Sequence, residues 1–180
     1  MYLDGYWQNE KYFCHHADSI RSEFNIITPI DTVNKQWLDF IQSKNSVCIH
    51  IRRGDYVTSS RANKHHGTCS PEYYENAIQY IRDRVDNPDF FAFSDDLKWV
   101  KENISIPSPC HYIEHNGPTK NYEDLRLMSN CKHFIIANSS FSWWGAWLGT
   151  YPEKIVIAPQ KWVNDPNANI DIIPDSWIKL

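Results

Sequence analysis

From about residue 45 onward, short continuous apolar runs alternate with stretches of helical periodicity, and few architectures accept that alternation. The runs are Val47–Ile51, Phe90–Phe93, Tyr112–Ile113, Phe134–Ala137 and Ile155–Ala158. Each is too short for a helix and apolar on successive residues, so both faces of such a strand must be covered. The clearest helix between them opens at Ser70-Pro71-Glu72, with an N-cap, a proline whose missing N–H costs nothing, and an acid in the first turn. Tyr74, Ala77, Ile78, Ile81 and Val85 continue it as the stripe of a helix lying on a sheet. Asp95–Asn103 and Asn121–Cys131 read as further helices, the second with a buried stripe of Tyr122, Leu125 and Met128. Ser140–Leu148 reads as a short helix with Phe141, Trp143, Trp144 and Trp147 all round it, so it is buried or covers a ligand. The predicted fold is α/β: a Rossmann-like parallel sheet with helices on both faces, formed by residues 46–180. Residues 1–45 read as an inter-domain or N-terminal remnant packed on that core; Met1–Trp7 has neither a helix cap nor an obvious strand. Asn164–Pro174 reads as an irregular tail.

At 180 residues the chain is long enough for one well-filled core. A net charge of -4 excludes a general nucleic-acid binder, which needs a basic face to displace counterions. Any anion held here is small and locally bound. Aromatic residues make up 14%, with eight Trp, most of which the core must absorb. Five scattered cysteines without a C-x-x-C pair form neither a disulfide framework nor a zinc site, and a reduced compartment fits them. The histidines at His15-His16, His65-His66 and His111…His115 lack a carboxylate or cysteine set at ligand spacing, so no metal is expected. No apolar run approaches the ~20 residues of a membrane span, and no secretory signal opens the chain.

In a parallel sheet, ligands sit beyond the carboxyl ends of the strands. Three predicted strand ends concentrate polar chemistry. The first is His50, Arg52, Arg53 and Asp55; on an extended strand His50 and Arg52 share a face, opposite Ile49 and Ile51. An arginine at a sheet's mouth must meet an anion. Either Asp55 pairs with Arg52 or Arg53, or two guanidiniums against one nearby acid leave a positive surplus for a phosphate. Arg53-Gly54-Asp55 also spells an adhesive RGD, but one that follows directly on a buried strand. The second end is Ser94-Asp95-Asp96, where Ser94 or Asp95 caps the next helix, or a carboxylate accepts N–H groups from a base or hydroxyls from a ribose. The third, Asn138-Ser139-Ser140-Phe141-Ser142, leads a strand into a helix, as an N-cap or as a backbone anion cradle.

The stretches His50–Tyr56, Phe93–Asp96 and Asn138–Trp147 resemble the motifs of the α-1,2-fucosyltransferases, glycosyltransferase family 11. Lesser matches fall at Gly5–Phe13, His66–Tyr74, Leu127–His133 and Ile155–Pro159, so the resemblance covers roughly residues 1–163. It implies the C-terminal, donor-binding domain of a two-domain, GT-B-like enzyme that moves L-fucose from GDP-fucose to O2 of a galactose with inversion. No cofactor or metal is implied. By the same resemblance Arg52 holds the β-phosphate with Arg53 in support, His50 and Asp95/Asp96 face guanine or ribose, and Asn138, Ser139, Ser140 and Ser142 cradle the diphosphate. Asp55 is the candidate general base, with His65 or His66 as alternatives. The partners implied are GDP-fucose and a galactose-terminated glycan. The family's opening glycine-rich segment is not found in this sequence, so acceptor contacts are expected from a first domain, or the exposed face self-associates. The implied location is bacterial cytoplasm or a membrane surface, and the Golgi lumen for an animal homologue.

Overall fold

The computed structural model describes residues 9–165 and 171–180. Residues 5–8 of the first minor matching stretch, and much of the expected irregular tail, lie outside them. Six strands form one parallel sheet: β1 (Ser46–Ile51), β2 (Asp89–Ser94), β3 (Cys110–Tyr112), β4 (His133–Ile135), β5 (Val156–Ala158) and β6 (Ile178–Lys179). The order is β3-β2-β1-β4-β5-β6. The chain therefore winds outward from β1 to β3, then returns to the far side of β1 and continues outward again. That reversal between β1 and β4 is the topological switch point where such sheets open a crevice. The five predicted runs are the first five strands, each shifted by a residue or two. The two-residue β6 closes the far edge from a stretch with no strand pattern.

The α/β reading holds, and alternation along β1 shows why both faces needed covering. Val47, Ile49 and Ile51 point to one side, where they pack with Phe90, Ala92, Ile135 and Ile157 under α5 (Pro71–Arg82) and α6 (Leu97–Asn103). Cys48 points to the other, with Phe91, Phe93, Phe134 and Ile136. That side is covered by α2 (Thr32–Gln42), α7 (Asn121–Ser129) and α8 (Ser140–Leu148). The first core is aliphatic and tyrosine-rich; the second holds Trp143, Trp147, Trp162 and Trp177.

Local signals act as expected at α5, where the Ser70 hydroxyl accepts from the Tyr73 amide at 3.2 Å. At α6 the cap is Asp96, not Ser94 or Asp95 as expected: it accepts from the Trp99 amide at 3.2 Å, so the helix starts only at Leu97. The expected stripe on α7 is corrected: Glu123, Leu127 and Met128 are buried, whereas Tyr122 and Leu125 are only half-buried. Helix α8 spans the predicted residues, with Trp143 and Trp147 buried and Phe141 and Trp144 half-buried. Its last carbonyls are met by Lys154, whose ammonium donates to Ala146 at 2.8 Å and Gly149 at 2.7 Å. Burial there pushes the Lys154 pKa down to about 8.

Four α-helices were not anticipated: α1 (Ala17–Glu23), α2, α3 (Gly54–Thr58) and α4 (Ser60–His66). Phe13, Ala17, Ile20, Trp37, Leu38 and Phe40 pack against the tryptophan-rich core, and Ile41 is buried in it. Phe13 and Phe24 both stack on Trp144, at 5.8 and 4.7 Å. All five cysteines are free. Among the described residues no helix is long and apolar enough to cross a membrane.

Candidate active site at the switch point

A cavity of about 770 Å³ opens at the carboxyl ends of β1, β2 and β4. That is the size of a nucleotide or drug-sized ligand site. Of the site residues proposed from sequence, His50, Arg52, Asp55, His66, Asp95, Ser139 and Ser140 line it; Arg53, His65, Asp96, Asn138 and Ser142 do not.

One wall is the arginine corner. Directly after β1 the Arg52 guanidinium bonds Asp55 at 2.5 Å and Asp95 at 2.6 Å. Arg53 turns the other way, lying over the Trp99 ring at 3.6 Å with its Nε 3.3 Å from Asp96. Its backbone N–H donates to Asp95 at 2.9 Å. Gly54 is required by this crowding, since a Cβ there would run into the Asp95 carboxylate. The expected positive surplus is therefore not found: two guanidiniums meet three carboxylates, because β2 delivers Asp95 and Asp96 beside β1. Asp55 pairs with Arg52 and not Arg53. The RGD triplet sits in the first turn of α3, tied to this corner.

The opposite wall is the end of β4 and the start of α8. Ser139 occupies the N-cap position yet makes no capping bond with its side chain. Ser142 is fully buried, and its hydroxyl donates inward to the Ser139 carbonyl at 3.2 Å. Asn138 is likewise a structural staple. Its amide donates to the carbonyls of His66 at 3.0 Å and Trp162 at 3.1 Å, holding the loop after α4 against the sheet. Tyr56, stacked on His66 at 4.6 Å, completes the rim.

Deep in the cavity lies His50, only 5% exposed, beside Phe141 at 5.8 Å. Burial lowers its pKa to about 4, opposed by Asp95, so the ring is neutral at pH 7. Its Nδ1 is buried without a hydrogen-bond partner. A buried orphan of this kind costs about 1–3 kcal/mol unless a ligand satisfies it.

The third wall, which sequence reasoning missed, comes from the loop after β3 and the first turn of α7: Asn116, Gly117, Pro118, Asn121 and Asp124. Asp124 accepts from the Asn116 amide at 2.8 Å. Burial, with Glu123 beside it, raises its pKa to about 6. Asp124 gave no sequence signal because an acid in a helix's first turn is ordinary dipole chemistry. Only the tertiary arrangement turns it toward the crevice. Among the described residues no group of His, Cys, Asp and Glu is arranged to hold a metal ion.

The family model for glycosyl transferase family 11 matches residues 1–180. An alpha-1,2-colitosyltransferase of Escherichia coli is 44% identical over 181 residues, covering 98% of this chain and 61% of that protein. The O-antigen biosynthesis glycosyltransferase WbnK of Escherichia coli is 40% identical over 176 residues, covering 91% of this chain and 58% of its own length. The galactoside alpha-(1,2)-fucosyltransferase 1 of Bos taurus is 27% identical over 157 residues, 81% of this chain and 43% of that protein. The chain thus spans about three-fifths of the length of the bacterial relatives it matches. No solved structure matches it. A parallel sheet with a polar crevice at its switch point, and a family match from end to end, lead to one conclusion: the chain belongs to glycosyl transferase family 11.

Proposed function

We propose that this chain is the donor-binding part of an inverting, metal-independent α-1,2-glycosyltransferase that takes a deoxyhexosyl group from a GDP-sugar, GDP-fucose in the first reading, to O2 of a galactose-terminated glycan. The observation that carries it is Arg52, held at the switch point across one cavity from the N-terminus of α8. A departing diphosphate is met there by a guanidinium on one side and helix N–H groups with Ser139 and Ser140 on the other. When the acceptor hydroxyl attacks the anomeric carbon, the bond to the diphosphate breaks and GDP leaves with the electron pair. Arg52 neutralises that charge only by yielding one of its two carboxylates. Asp55, the more exposed of them, is then released beside the reacting centre and takes the hydroxyl proton.

The nucleobase assignment shifts from the sequence-based one. Asp95 is occupied by Arg52 and the Arg53 amide, and Asp96 by its cap and Arg53. Asp124 has one hydrogen bond from Asn116 and His50 has an unpartnered Nδ1. We assign guanine to these two, with the Asp124 carboxylate accepting the adjacent N1–H and 2-amino donors. Acceptor contacts are assigned to the part of the longer relatives that this chain does not match. The 44% relative, by its name, favours colitosyl over fucosyl as the group moved; assaying both donors against a β-galactoside distinguishes them.

Calorimetric titration with GDP and UDP tests the nucleotide reading. Saturable GDP binding that UDP does not reproduce and Arg52→Ala abolishes is the expected result. Equal affinity for both nucleotides, or full binding by a folded Arg52→Ala variant, overturns it.

A further inference from the structure

We infer that Asn34, far from the cavity in sequence and not lining it, is a positioning residue for nucleobase recognition, acting through Asn116 on Asp124. The inference rests on the reading of this cavity as a guanine-nucleotide site.

Asn34 lies in the first turn of α2, outside the strand–helix alternation, and is completely buried. Burying a primary amide is costly unless every donor and acceptor is met. Here they are met by an unusually specific set. The Asn34 side-chain N–H₂ donates to the Asp31 carboxylate at 3.1 Å and to the Asn116 carbonyl oxygen at 3.0 Å. Its Oδ1 accepts from Asn116 Nδ2 at 3.0 Å and lies 2.9 Å from His115 Nε2.

The two amides thus pair reciprocally, and that pairing fixes the sense of Asn116. Its Oδ1 must face the Asn34 amide, so its N–H₂ must face both Asn34 Oδ1 and the Asp124 carboxylate, 2.8 Å away. Turned over, Asn116 would set its oxygen against a carboxylate. The loop is pinned at two more points: Lys120 bonds Asp31 at 2.9 Å, and His115 stacks on Trp37 of α2 at 5.9 Å and 7°. A core made of apolar residues alone would hold α2 on the sheet without specifying any of this. The polar set costs burial and returns a carboxylate held at one oxygen, aimed into the cavity.

Such a carboxylate discriminates sharply, because a site built to accept a ligand N–H rejects the analogue that lacks it. GDP and IDP differ only by the 2-amino group, so their affinity ratio reads the position of Asp124 directly. In the full-length protein we expect Asp124→Asn to erase most of the GDP preference. Asn34→Ala should cut that preference at least fivefold, raising the donor KM while kcat at saturating donor is kept. IDP, which keeps N1–H but lacks the 2-amino group, should lose less affinity than GDP. Asn34→Ser, which retains a hydroxyl for Asp31 but cannot pair with both edges of Asn116, carries the same expectation should the alanine variant not fold. A folded Asn34 variant with an unchanged GDP:IDP ratio, alongside an Asp124→Asn protein that has lost it, makes Asn34 merely structural and overturns the inference. An unchanged ratio in Asp124→Asn itself defeats instead the guanine reading on which it rests.

Discussion

Two of the cavity's three walls solve opposite electrostatic problems. On the arginine side every charge is already answered: Arg52 by Asp55 and Asp95, Arg53 by Asp96 and the Trp99 face. On the Asp124 side the polar groups are positioned but under-used, with the His50 Nδ1 unpartnered and Asp124 pushed toward its neutral form by burial. A saturated corner is preorganised for a ligand that must displace something; an unsaturated one waits for a ligand that supplies what is absent. Binding a polyanion therefore trades one ion pair for another, whereas binding a base adds hydrogen bonds outright.

The comparison breaks first at Arg52. Arg52→Ala removes the charge that would meet the leaving diphosphate, and kcat in the full-length protein should fall by roughly 10²–10³. An effect below about threefold in steady-state assays would mean that the saturated corner never opens. Asp124→Asn probes the other wall, where loss of a charge-assisted pair should weaken GDP binding by about tenfold or more, read by calorimetry. Gly54→Ala falls between the two walls in kind, because its methyl must push Asp95 aside and so loosens Arg52. Donor affinity should drop severalfold while thermal stability falls by only about 1–3 kcal/mol, the range of ordinary crowding substitutions.

Proton concentration separates the walls without mutation. The Asp124 pKa, raised to about 6 from the ordinary 3.8, means the folded protein holds a proton there between about pH 4 and 6 that the unfolded chain has released. That group's contribution to folding stability therefore declines as pH rises across the window. Base recognition runs the other way, since it needs the carboxylate. Nucleotide-sugar affinity should weaken severalfold as pH drops through about 6, and Asp124→Asn should flatten the profile. The smallest effect is expected at Ser142→Ala. Its hydroxyl serves the Ser139 carbonyl, so melting should register about 1 kcal/mol and GDP affinity should not move.

The arginine corner was the more legible wall because its chemistry is written in consecutive residues at a strand end. His50-Ile-Arg-Arg and Ser94-Asp-Asp announce charge wherever strands finish. What could not be read was the balance, since Asp95 lies 43 residues beyond Arg52 and only the parallel register of β1 and β2 brings it alongside. The serine cradle divides for the same reason. Ser139 and Ser140 face the crevice, but Ser142 is turned inward by the helix it helps to begin. Asp124 and Asn34 carried no local signal at all, because each looks like an ordinary first-turn helix residue until the loop bearing Asn116, 82 residues beyond Asn34, is folded against α2.

By itself the sequence determined the kind of protein this is. Short apolar runs alternating with helical stripes leave a covered parallel sheet as the arrangement that buries both strand faces, and the cap chemistry of α5 marks where that helix begins. The tertiary structure alone decided which charges are spent and which are available. Pairing depends on distances of about 3 Å between residues scores of positions apart, and no periodicity along a chain encodes that.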